Sequence, residues 1–294
     1  MTNLIRKAVI PAAGLGTRLL PVTKEIPKEM LPIPVRNGKN IMLLKPLLQA
    51  VFEQLYDFGI TDFCFIVGRG KRAIEDHFTP DRSILERISD TPWKEDLEQF
   101  YKRLESAYIY FITQPEPRGF GDAVQRAKNF TAEEPFLVQA GDDLIISKNS
   151  RHLTRLVKTF GDMDAEAVLL VERNPHPQRY GVVEGKMVRP RLYKVSKIVE
   201  KPFKPPTNLT TIAVYVFKPS IYNALSQTAP DEKQEIQLTD AIQRLLHMGK
   251  SVYALELPPT EKRIDIGTHE SFLEAYAQLT KRYSCTRYPD TSCA

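Results

Sequence analysis

The sequence predicts an α/β protein with a mixed, mainly parallel sheet that is flanked by helices. The first observation is that short apolar segments alternate with longer amphipathic ones up to about residue 172. The second is a turn of small residues directly after the first apolar segment. The third is a change near residue 180, after which strand-like segments follow one another without long helices between them, which predicts added antiparallel strands.

Strands are predicted in the first part of the chain where apolar residues form short uninterrupted runs, at 5–11, 62–67, 108–113, 135–140 and 166–172. Helices are predicted where apolar residues recur at helical spacing, at 43–58, at about 82–106, from Gly121 onward and at about 150–160. Gly59 is typical of the residue that follows a helix. This βαβ order is typical of a Rossmann-like layout with helices on both faces of the sheet.

The second part of the chain predicts strands at 181–188, 192–199 and 211–217, then helices at 236–248 and 268–282. We therefore expect an α/β domain at 1–230 and a C-terminal helical extension at 231–294 that packs on the same domain. The boundary is weak, because Val252 to Leu257 resembles another strand of the main sheet.

Composition limits the class of protein. Hydrophobic residues make up 42% of the 294 residues, which is enough for a sizeable core, and no apolar run reaches the length of a membrane span. The N-terminus does not resemble a signal peptide. Three cysteines argue against a disulfide framework, with Cys64 expected in the core and Cys285 and Cys293 expected to be incidental thiols. We expect a cytoplasmic protein, and the modest net charge of +5 gives no case for nucleic acid.

The most informative segment runs from Lys7 to Pro32. A short apolar strand leads into a turn whose small residues are candidate nucleotide ligands: Ala12, Ala13, Gly14, Gly16 and Thr17. The two glycines allow positive φ and close approach of a ligand to backbone N–H groups. Arg18 and Lys28 add two spaced cations. Because Leu19 stands where a dinucleotide-binding loop needs its third glycine, the pattern predicts a different site for a polyphosphate.

Carboxylates follow two further apolar segments. Asp142 and Asp143 follow the strand predicted at 135–140, and Asp265 lies between Ile264 and Ile266. The carboxyl end of a parallel strand is where open α/β sheets bind ligands, and carboxylate oxygens suit Mg²⁺. The alternatives are a strand-ending turn for the first pair and a helix-entry turn for Asp265.

Several ordered motifs resemble the sugar-1-phosphate nucleotidyltransferases, most closely the bacterial-type UTP–glucose-1-phosphate uridylyltransferases. They are the segment from Lys7 to Pro32, and then residues 68–78, 114–123, 141–143, 180–183, 199–202 and 235–242. The resemblance implies an enzyme that makes UDP-glucose and pyrophosphate from UTP and glucose 1-phosphate, with Mg²⁺ as cofactor. A homo-oligomer, dimer or tetramer, is also expected.

The resemblance also implies roles for individual residues. Arg18 and Lys28 would hold the nucleotide phosphates, and Asp142 and Asp265 would hold the metal. Lys201 would hold the sugar phosphate.

The sugar and the base have their own expected ligands. Glu200 would bind sugar hydroxyls, and Gly181 would let the sugar approach the backbone. Gln114, with the backbone of Gly119, would recognise uracil, because an amide offers a donor for O4 and an acceptor for N3–H side by side. A regular strand would place Glu200 and Lys201 on opposite faces, with Lys201 extended before proline.

Three alternatives stay open at this point: the same chemistry with dTTP, another sugar 1-phosphate as acceptor, and a non-catalytic regulatory paralogue. The segment at Arg263 to Gly267 resembles the thymidylyltransferase relatives, which keeps dTTP open. The sequence departs from the family pattern at two places, and no residue roles are inferred from the resemblance there. Asp122 stands where the family more often has histidine, and residues 231–234 differ from the family, so the helix at 236–248 is expected but no catalytic role is assigned there.

Overall fold

The computed structural model of the protein describes residues 5–89 and 91–284. Its strands are β1 Lys7–Pro11, β2 Pro32–Arg36, β3 Met42–Pro46, β4 Asp62–Val67, β5 Tyr108–Thr113, β6 Phe136–Gln139, β7 Asp143–Ile146, β8 Ala167–Arg173, β9 Gly181–Arg189, β10 Leu192–Glu200, β11 Leu209–Phe217, β12 Val252–Glu256 and β13 Lys262–Asp265. Its helices are α1 Leu47–Phe58, α2 Arg72–His77, α3 Arg82–Arg87, α4 Pro92–Ser106, α5 Phe120–Arg126, α6 Lys128–Thr131, α7 Arg151–Asp162, α8 Ser220–Ser226, α9 Leu238–His247 and α10 His269–Ser284.

The main sheet has the order β5-β4-β1-β6-β11-β8-β12-β10-β9. Neighbours pair in parallel from β5 to β6 and again between β8 and β12, whereas β11 and β10 run antiparallel to their neighbours. The predicted mixed α/β fold is confirmed, but the prediction that its sheet is mainly parallel is wrong. Four strand pairings in the sheet are parallel and five are antiparallel, because β11 and β10 are each inserted against the direction of their neighbours. Two small antiparallel pairs, β2–β3 and β7–β13, lie outside this sheet and were not predicted.

Both faces of the sheet are buried. Along β1, Ala8 and Ile10 belong to one core cluster and Val9 belongs to the other. Along β4, Phe63 and Phe65 face the first cluster, and alternate residues face the second. Because successive side chains of a strand point to opposite faces, helices must cover both sides, and α1, α4 and α7 cover one while α5, α8 and α9 cover the other.

The predicted helix at 43–58 is wrong over its first residues. Met42–Pro46 forms β3 and pairs with β2, and the helix begins only at Leu47. Pro46 causes the difference, because a proline disfavours helical geometry in the residue before it and has no N–H for a helix. Gly59 ends this helix with φ 112°, as predicted. The stretch predicted as helical at 82–106 divides into α3 and α4, with Thr91 as the N-cap of the second.

The C-terminal part contributes to the main sheet. β12 lies between β8 and β10, which confirms the predicted strand at Val252 to Leu257. The division of the chain at residue 230 and the name Rossmann-like stay predictions. Within the described residues, no helix has the length and apolar character needed to cross a bilayer. Cys64 is buried in the core as predicted, and Cys285 and Cys293 lie outside the described residues.

His152 in the first turn of α7 is an exception to the apolar core. It is fully buried, and neither ring nitrogen has a hydrogen-bond partner among the described residues. Burial lowers the pKa of His152 to about 4, although the nearby carboxylate of Glu261 opposes the shift. The unfolded chain, in which histidine has its ordinary pKa of 6.5, therefore binds a proton between pH 6.5 and 4 that the folded chain does not.

We expect the protein to lose stability as the pH falls through this window, and His152→Leu to reduce that loss. Leucine cannot titrate and leaves no unpaired nitrogen. The free energy of unfolding of the variant, compared with that of wild type, should therefore be higher at pH 5 than at pH 8 by on the order of 1–2 kcal/mol. The measurement is thermal or denaturant unfolding at both pH values, with exposed His176→Leu as the matched control. An equal pH dependence in wild type and His152→Leu would contradict the assignment.

Candidate active site

The turn after β1 is held in place by hydrogen bonds at both of its ends. The N–H of Ala12 donates to the Ile66 carbonyl at 2.8 Å, which ties the start of the turn to the end of β4. Gly16 has φ 67°, and its carbonyl accepts from Thr23 Oγ1 at 2.8 Å. Gly14 does not take positive φ, and a Cβ there would meet Lys28 Cε at an ordinary 3.6 Å. The predicted need for glycine therefore applies to the conformation of Gly16 and not to that of Gly14.

This turn forms one wall of a cavity of about 320 Å³, here called the loop cavity. Its lining residues are Pro11, Ala13, Gly14, Leu15, Gly16, Thr17, Lys28, Glu29, Gln114, Pro117, Gly119, Phe120, Ala123, Asp142 and Glu235. All of the predicted nucleotide ligands except Ala12 are in this set. The segments that follow β1, β5 and β6 thus meet at one cavity, together with Glu235.

A second cavity of about 500 Å³, here called the carboxylate cavity, adjoins the first. Its lining residues include all of the predicted metal and sugar ligands together with Arg18: Asp142, Asp265, Gly181, Glu200 and Lys201. Tyr180, Thr211, Thr239, Arg179 and Arg263 also line it. The residues that line both cavities are Lys28, Phe120, Asp142 and Glu235.

An ion pair marks the junction of the two cavities. Lys28 Nζ donates to Asp142 Oδ2 at 2.5 Å, and both side chains are largely buried. Burial alone would lower the pKa of Lys28, but the carboxylates of Asp142 and Glu29 outweigh it and raise that pKa. Burial likewise opposes ionisation of Asp142, and the charge of Lys28 outweighs it, so the pKa of Asp142 is lowered. Both groups are therefore charged at neutral pH.

Glu29 has its own partner beneath the loop cavity. Lys71 Nζ donates to Glu29 Oε2 at 2.8 Å, and both side chains are buried. Burial raises the pKa of Glu29, and the charges of Lys71 and Lys28 oppose that rise. Lys71 therefore balances the charge of the Glu29 carboxylate, which would otherwise be buried without a cation of its own beside the Lys28–Asp142 pair.

Arg263 interacts with two carboxylates of the carboxylate cavity. It forms a bidentate ion pair with Asp143, at 2.6 and 2.7 Å, and lies 3.6 Å from Asp265 Oδ2. Its guanidinium stacks against the ring of Tyr180, with 5.0 Å from Cζ to the ring centroid. Asp143 also lines the carboxylate cavity, but both of its oxygens are held by Arg263, which distinguishes it from Asp142 and Asp265.

The prediction for the end of β10 is wrong in two respects. Lys201 has φ 41° and is not extended, because its N–H turns to donate to the Tyr180 carbonyl at 3.0 Å. Glu200 and Lys201 do not lie on opposite faces: Lys201 Nζ contacts Glu200 Oε1 at 2.9 Å, and both residues line the carboxylate cavity. Thr239 Oγ1 donates to Glu200 Oε2 at 3.0 Å and fixes the carboxylate from the other side.

Gly181 and Gly119 are required by packing. A Cβ on Gly181 would lie 2.7 Å from Thr239 Cγ2 and 2.9 Å from Thr211 Oγ1, so protein side chains occupy the space beside Gly181. A Cβ on Gly119 would lie 2.7 Å from the Ile236 carbonyl oxygen, and its φ of 95° also favours glycine. The expected approach of a sugar to Gly181 stays a prediction, and the close packing is the reason for glycine that the structure provides.

The predicted donor role of Gln114 conflicts with the structure. Gln114 is buried, and its Nε2 already donates to Asp122 Oδ2 at 2.7 Å and to the Gly119 carbonyl at 3.1 Å. An amide nitrogen has two hydrogens, so none remains for O4 of a base. The acceptor Oε1 is the atom of this amide that a ligand in the loop cavity can meet.

The donor set of the carboxylate cavity fits Mg²⁺. The described residues contain no group of three or more His, Cys, Asp or Glu side chains arranged to hold a metal. Mg²⁺ commonly binds one or two carboxylates together with substrate phosphates, and does not need a complete protein cage. Asp142 and Asp265 both supply oxygen ligands to one cavity, and this is a donor set of that kind.

Sequence reasoning missed several members of the site. Glu235 lines both cavities, and Lys71, Arg263 and Thr239 hold carboxylates in place. Each of the four stands inside or beside a motif that the sequence analysis quoted. Lys71, Arg263 and Thr239 donate hydrogen bonds to carboxylates that are 39 to 120 residues away along the chain, so no local pattern indicated these contacts.

The two adjoining cavities lie where open α/β sheets bind ligands, and comparison with known families identifies the class of protein. Residues 7–282 match the model of the nucleotidyl transferase family. The chain therefore belongs to the nucleotidyl transferase family.

Individual relatives are more specific. The chain is 38% identical over 273 residues to the UTP–glucose-1-phosphate uridylyltransferase of Bacillus subtilis, which covers 92% of this chain and 89% of that protein. It superposes on a UDP-glucose pyrophosphorylase crystallised with UDP-glucose with a TM-score of 0.80 and 31% identity, over 95% and 99% of the two chains. The UTP-bound pyrophosphorylase of Acinetobacter baumannii gives a TM-score of 0.80 and 28% identity, over 97% and 95%.

Proposed function

We propose that this chain is a uridylyltransferase that makes UDP-glucose and pyrophosphate from UTP and glucose 1-phosphate. The observation that supports the proposal best is the junction of the two cavities at the Lys28–Asp142 ion pair. One cavity has the glycine turn together with Gln114 and Gly119, and the other has acids and cations suited to a sugar phosphate. Relatives that cover most of the chain carry this activity in their names.

The loop cavity would take the nucleotide. The backbone of Gly14, Gly16 and Thr17 faces it, and N–H groups of a glycine turn suit phosphate oxygens. Gln114 and Gly119 line the opposite wall, where the base would lie. Lys28 at the junction and Arg18 beyond it would then meet the phosphate chain.

The carboxylate cavity would take the sugar phosphate. Glu200 is fixed by Thr239 and Lys201, so its oxygens are positioned acceptors for sugar hydroxyls. The side chain of Lys201 is more than half exposed, so its ammonium, which contacts Glu200, would be able to pair with an incoming phosphate as well. Gly181 closes the wall behind the sugar.

The chemistry needs positioning and charge neutralisation more than it needs a base. A phosphate oxygen of glucose 1-phosphate attacks the α-phosphorus of UTP in line, the new P–O bond forms, and pyrophosphate leaves with the electron pair of the broken bond. A sugar phosphate is already an anion at neutral pH, so no residue has to remove a proton first. Arg18 and Lys28 neutralise charge on the nucleotide and on pyrophosphate, and Lys201 orients the nucleophile.

Asp142 and Asp265 would hold Mg²⁺. When bound, the ion reduces repulsion between the two phosphate groups and polarises the oxygens around the reacting phosphorus. Asp142 shares its carboxylate with Lys28, and Asp265 is kept in place by Arg263. Phosphate oxygens would complete the coordination.

Two structural predictions belong to the same proposal. The first is that the sheet has a Rossmann-like layout, to which the segment after residue 230 adds a C-terminal extension. The second is that the protein forms a homo-oligomer, a dimer or a tetramer. Light scattering of the purified protein would distinguish a monomer from either.

We expect a coupled pyrophosphate-release assay to show highest kcat/KM with UTP and glucose 1-phosphate. Thymine keeps the N3–H edge of uracil and adds one methyl group, so dTTP should be used with a loss equivalent to about 1–3 kcal/mol. CTP and GTP should be poor substrates. A preference for dTTP would instead place the chain with the thymidylyltransferases, and absence of turnover with every pair would favour a regulatory paralogue.

The two exposed cations should have separable effects. Lys201→Ala should chiefly impair use of glucose 1-phosphate, and Arg18→Ala should chiefly impair use of UTP, each on the order of 10²–10³ in kcat/KM because a positioned charge is lost. Steady-state kinetics with each substrate varied in turn gives the comparison. Exposed Lys204→Ala is the matched control and should match wild type. Unaltered kinetics for glucose 1-phosphate in Lys201→Ala would refute its assignment.

Activity should disappear with a chelator and return with Mg²⁺. Asp265→Asn should lower kcat and raise the Mg²⁺ concentration needed for half-maximal activity, because a neutral amide is a weaker ligand than a carboxylate. Asp142→Asn should do the same and should also release Lys28. Asp164→Asn, at a carboxylate that is 92% exposed and does not line either cavity, serves as the control. If Asp265→Asn kept both the turnover and the Mg²⁺ requirement of wild type, Asp265 would not be a ligand.

A further inference from the structure

We propose that Asp122 is a positioning residue that controls which pyrimidine the loop cavity accepts. It holds the side-chain amide of Gln114 in one orientation, so that an acceptor and not a donor is offered to the base. The inference rests on the proposed function, and it concerns a position where the family resemblance gave no role.

The geometry commits both hydrogens of the Gln114 amide. Nε2 donates to Asp122 Oδ2 at 2.7 Å and to the Gly119 carbonyl at 3.1 Å. Gln114 and Asp122 are only 4% and 8% exposed, so water competes little for these bonds. Gln114 is also held by its backbone, whose N–H donates to the Val67 carbonyl at 2.7 Å. The side chain therefore has little freedom to rotate away.

A flipped amide would be unfavourable. It would place Oε1 against the Asp122 carboxylate and the Gly119 carbonyl, and both of those groups only accept hydrogen bonds. Arg126 keeps the Asp122 carboxylate in place, because Arg126 Nε donates to Asp122 Oδ2 at 3.0 Å across one turn of α5. The chain Arg126–Asp122–Gln114 thus fixes the orientation by charge, which a neutral amide at position 122 would not do.

The fixed orientation favours bases that carry a proton on N3. Uracil donates its N3–H to Gln114 Oε1, whereas N3 of cytosine is an acceptor and would face another acceptor. A buried polar group that faces the wrong partner is costly, so CTP is rejected. Thymine has the same N3–H as uracil. Asp122 therefore separates uracil and thymine from cytosine and leaves the choice between UTP and dTTP to other contacts.

The test is Asp122→Asn, which preserves shape and removes the negative charge that opposes a flipped Gln114 amide. The penalty for turning Gln114 Oε1 towards position 122 is then smaller, and Gln114 can offer a donor to cytosine. We expect the ratio of kcat/KM for UTP to that for CTP to fall by roughly tenfold or more, the factor for one mispaired buried hydrogen bond. Asp164→Asn, at an exposed carboxylate that pairs with Lys218 at 2.7 Å, is the matched control and should keep the wild-type ratio.

The outcomes separate the inference from the proposed function. A purely structural role for Asp122 would lower activity with UTP and CTP by the same factor, and an unchanged ratio would overturn the inference. Thermal unfolding checks that Asp122→Asn folds, and Asp122→Ala, which also frees one hydrogen of the Gln114 amide, provides a second variant with the same expected direction. If wild type did not use UTP at all, the proposed function would fail independently of Asp122.

Discussion

The buried ion pair between Lys28 and Asp142 is the interaction on which the rest of the site depends. Two charges removed from water are stable only when each has a partner, and the loss of either would leave the other buried without a counter-charge. The same constraint accounts for Lys71 beside Glu29 and for Arg263 beside Asp143. The site is therefore a set of paired charges. A polyphosphate and a divalent cation that enter together can exchange partners with Lys28 and Asp142 and leave the local charge balanced.

The remaining contacts link the loop cavity to the carboxylate cavity. Gly119 and Gly121 pack against Ile236, so this wall of the loop cavity is joined by hydrogen bonds to the segment that leads into α9. Thr239 in α9 holds Glu200 in the carboxylate cavity. One helix thus positions parts of both cavities, and this linkage explains why Glu235 lines the two of them.

Sequence patterns predicted those parts of the structure that depend on local chemistry. Uninterrupted apolar runs located β1, β4 and β6, and the acids and cations of the motifs do line two adjoining cavities. Patterns failed where distant groups decide the outcome. Leu43 and Leu44 have helical spacing but pair with β2, and Lys201 takes φ 41° because its N–H donates to the carbonyl of Tyr180 just before β9. The orientation of the Gln114 amide depends on Asp122, whose role no spacing rule indicates.

The position of β12 in the sheet has a consequence for how the protein assembles during synthesis. β12 comes late in the chain but lies between β8 and β10, and apart from one pairing of Val182 with Thr210 it is the strand that joins the β9–β10 hairpin to the sheet. Pairing over so long a separation is slow, because a large loop must close first. On the ribosome, the turn after β1 can form early, whereas the wall that carries Glu200 and Lys201 completes its pairing with the sheet only after residue 256 has emerged. A nascent chain therefore has one wall of the site incompletely fixed until β12 has been synthesised.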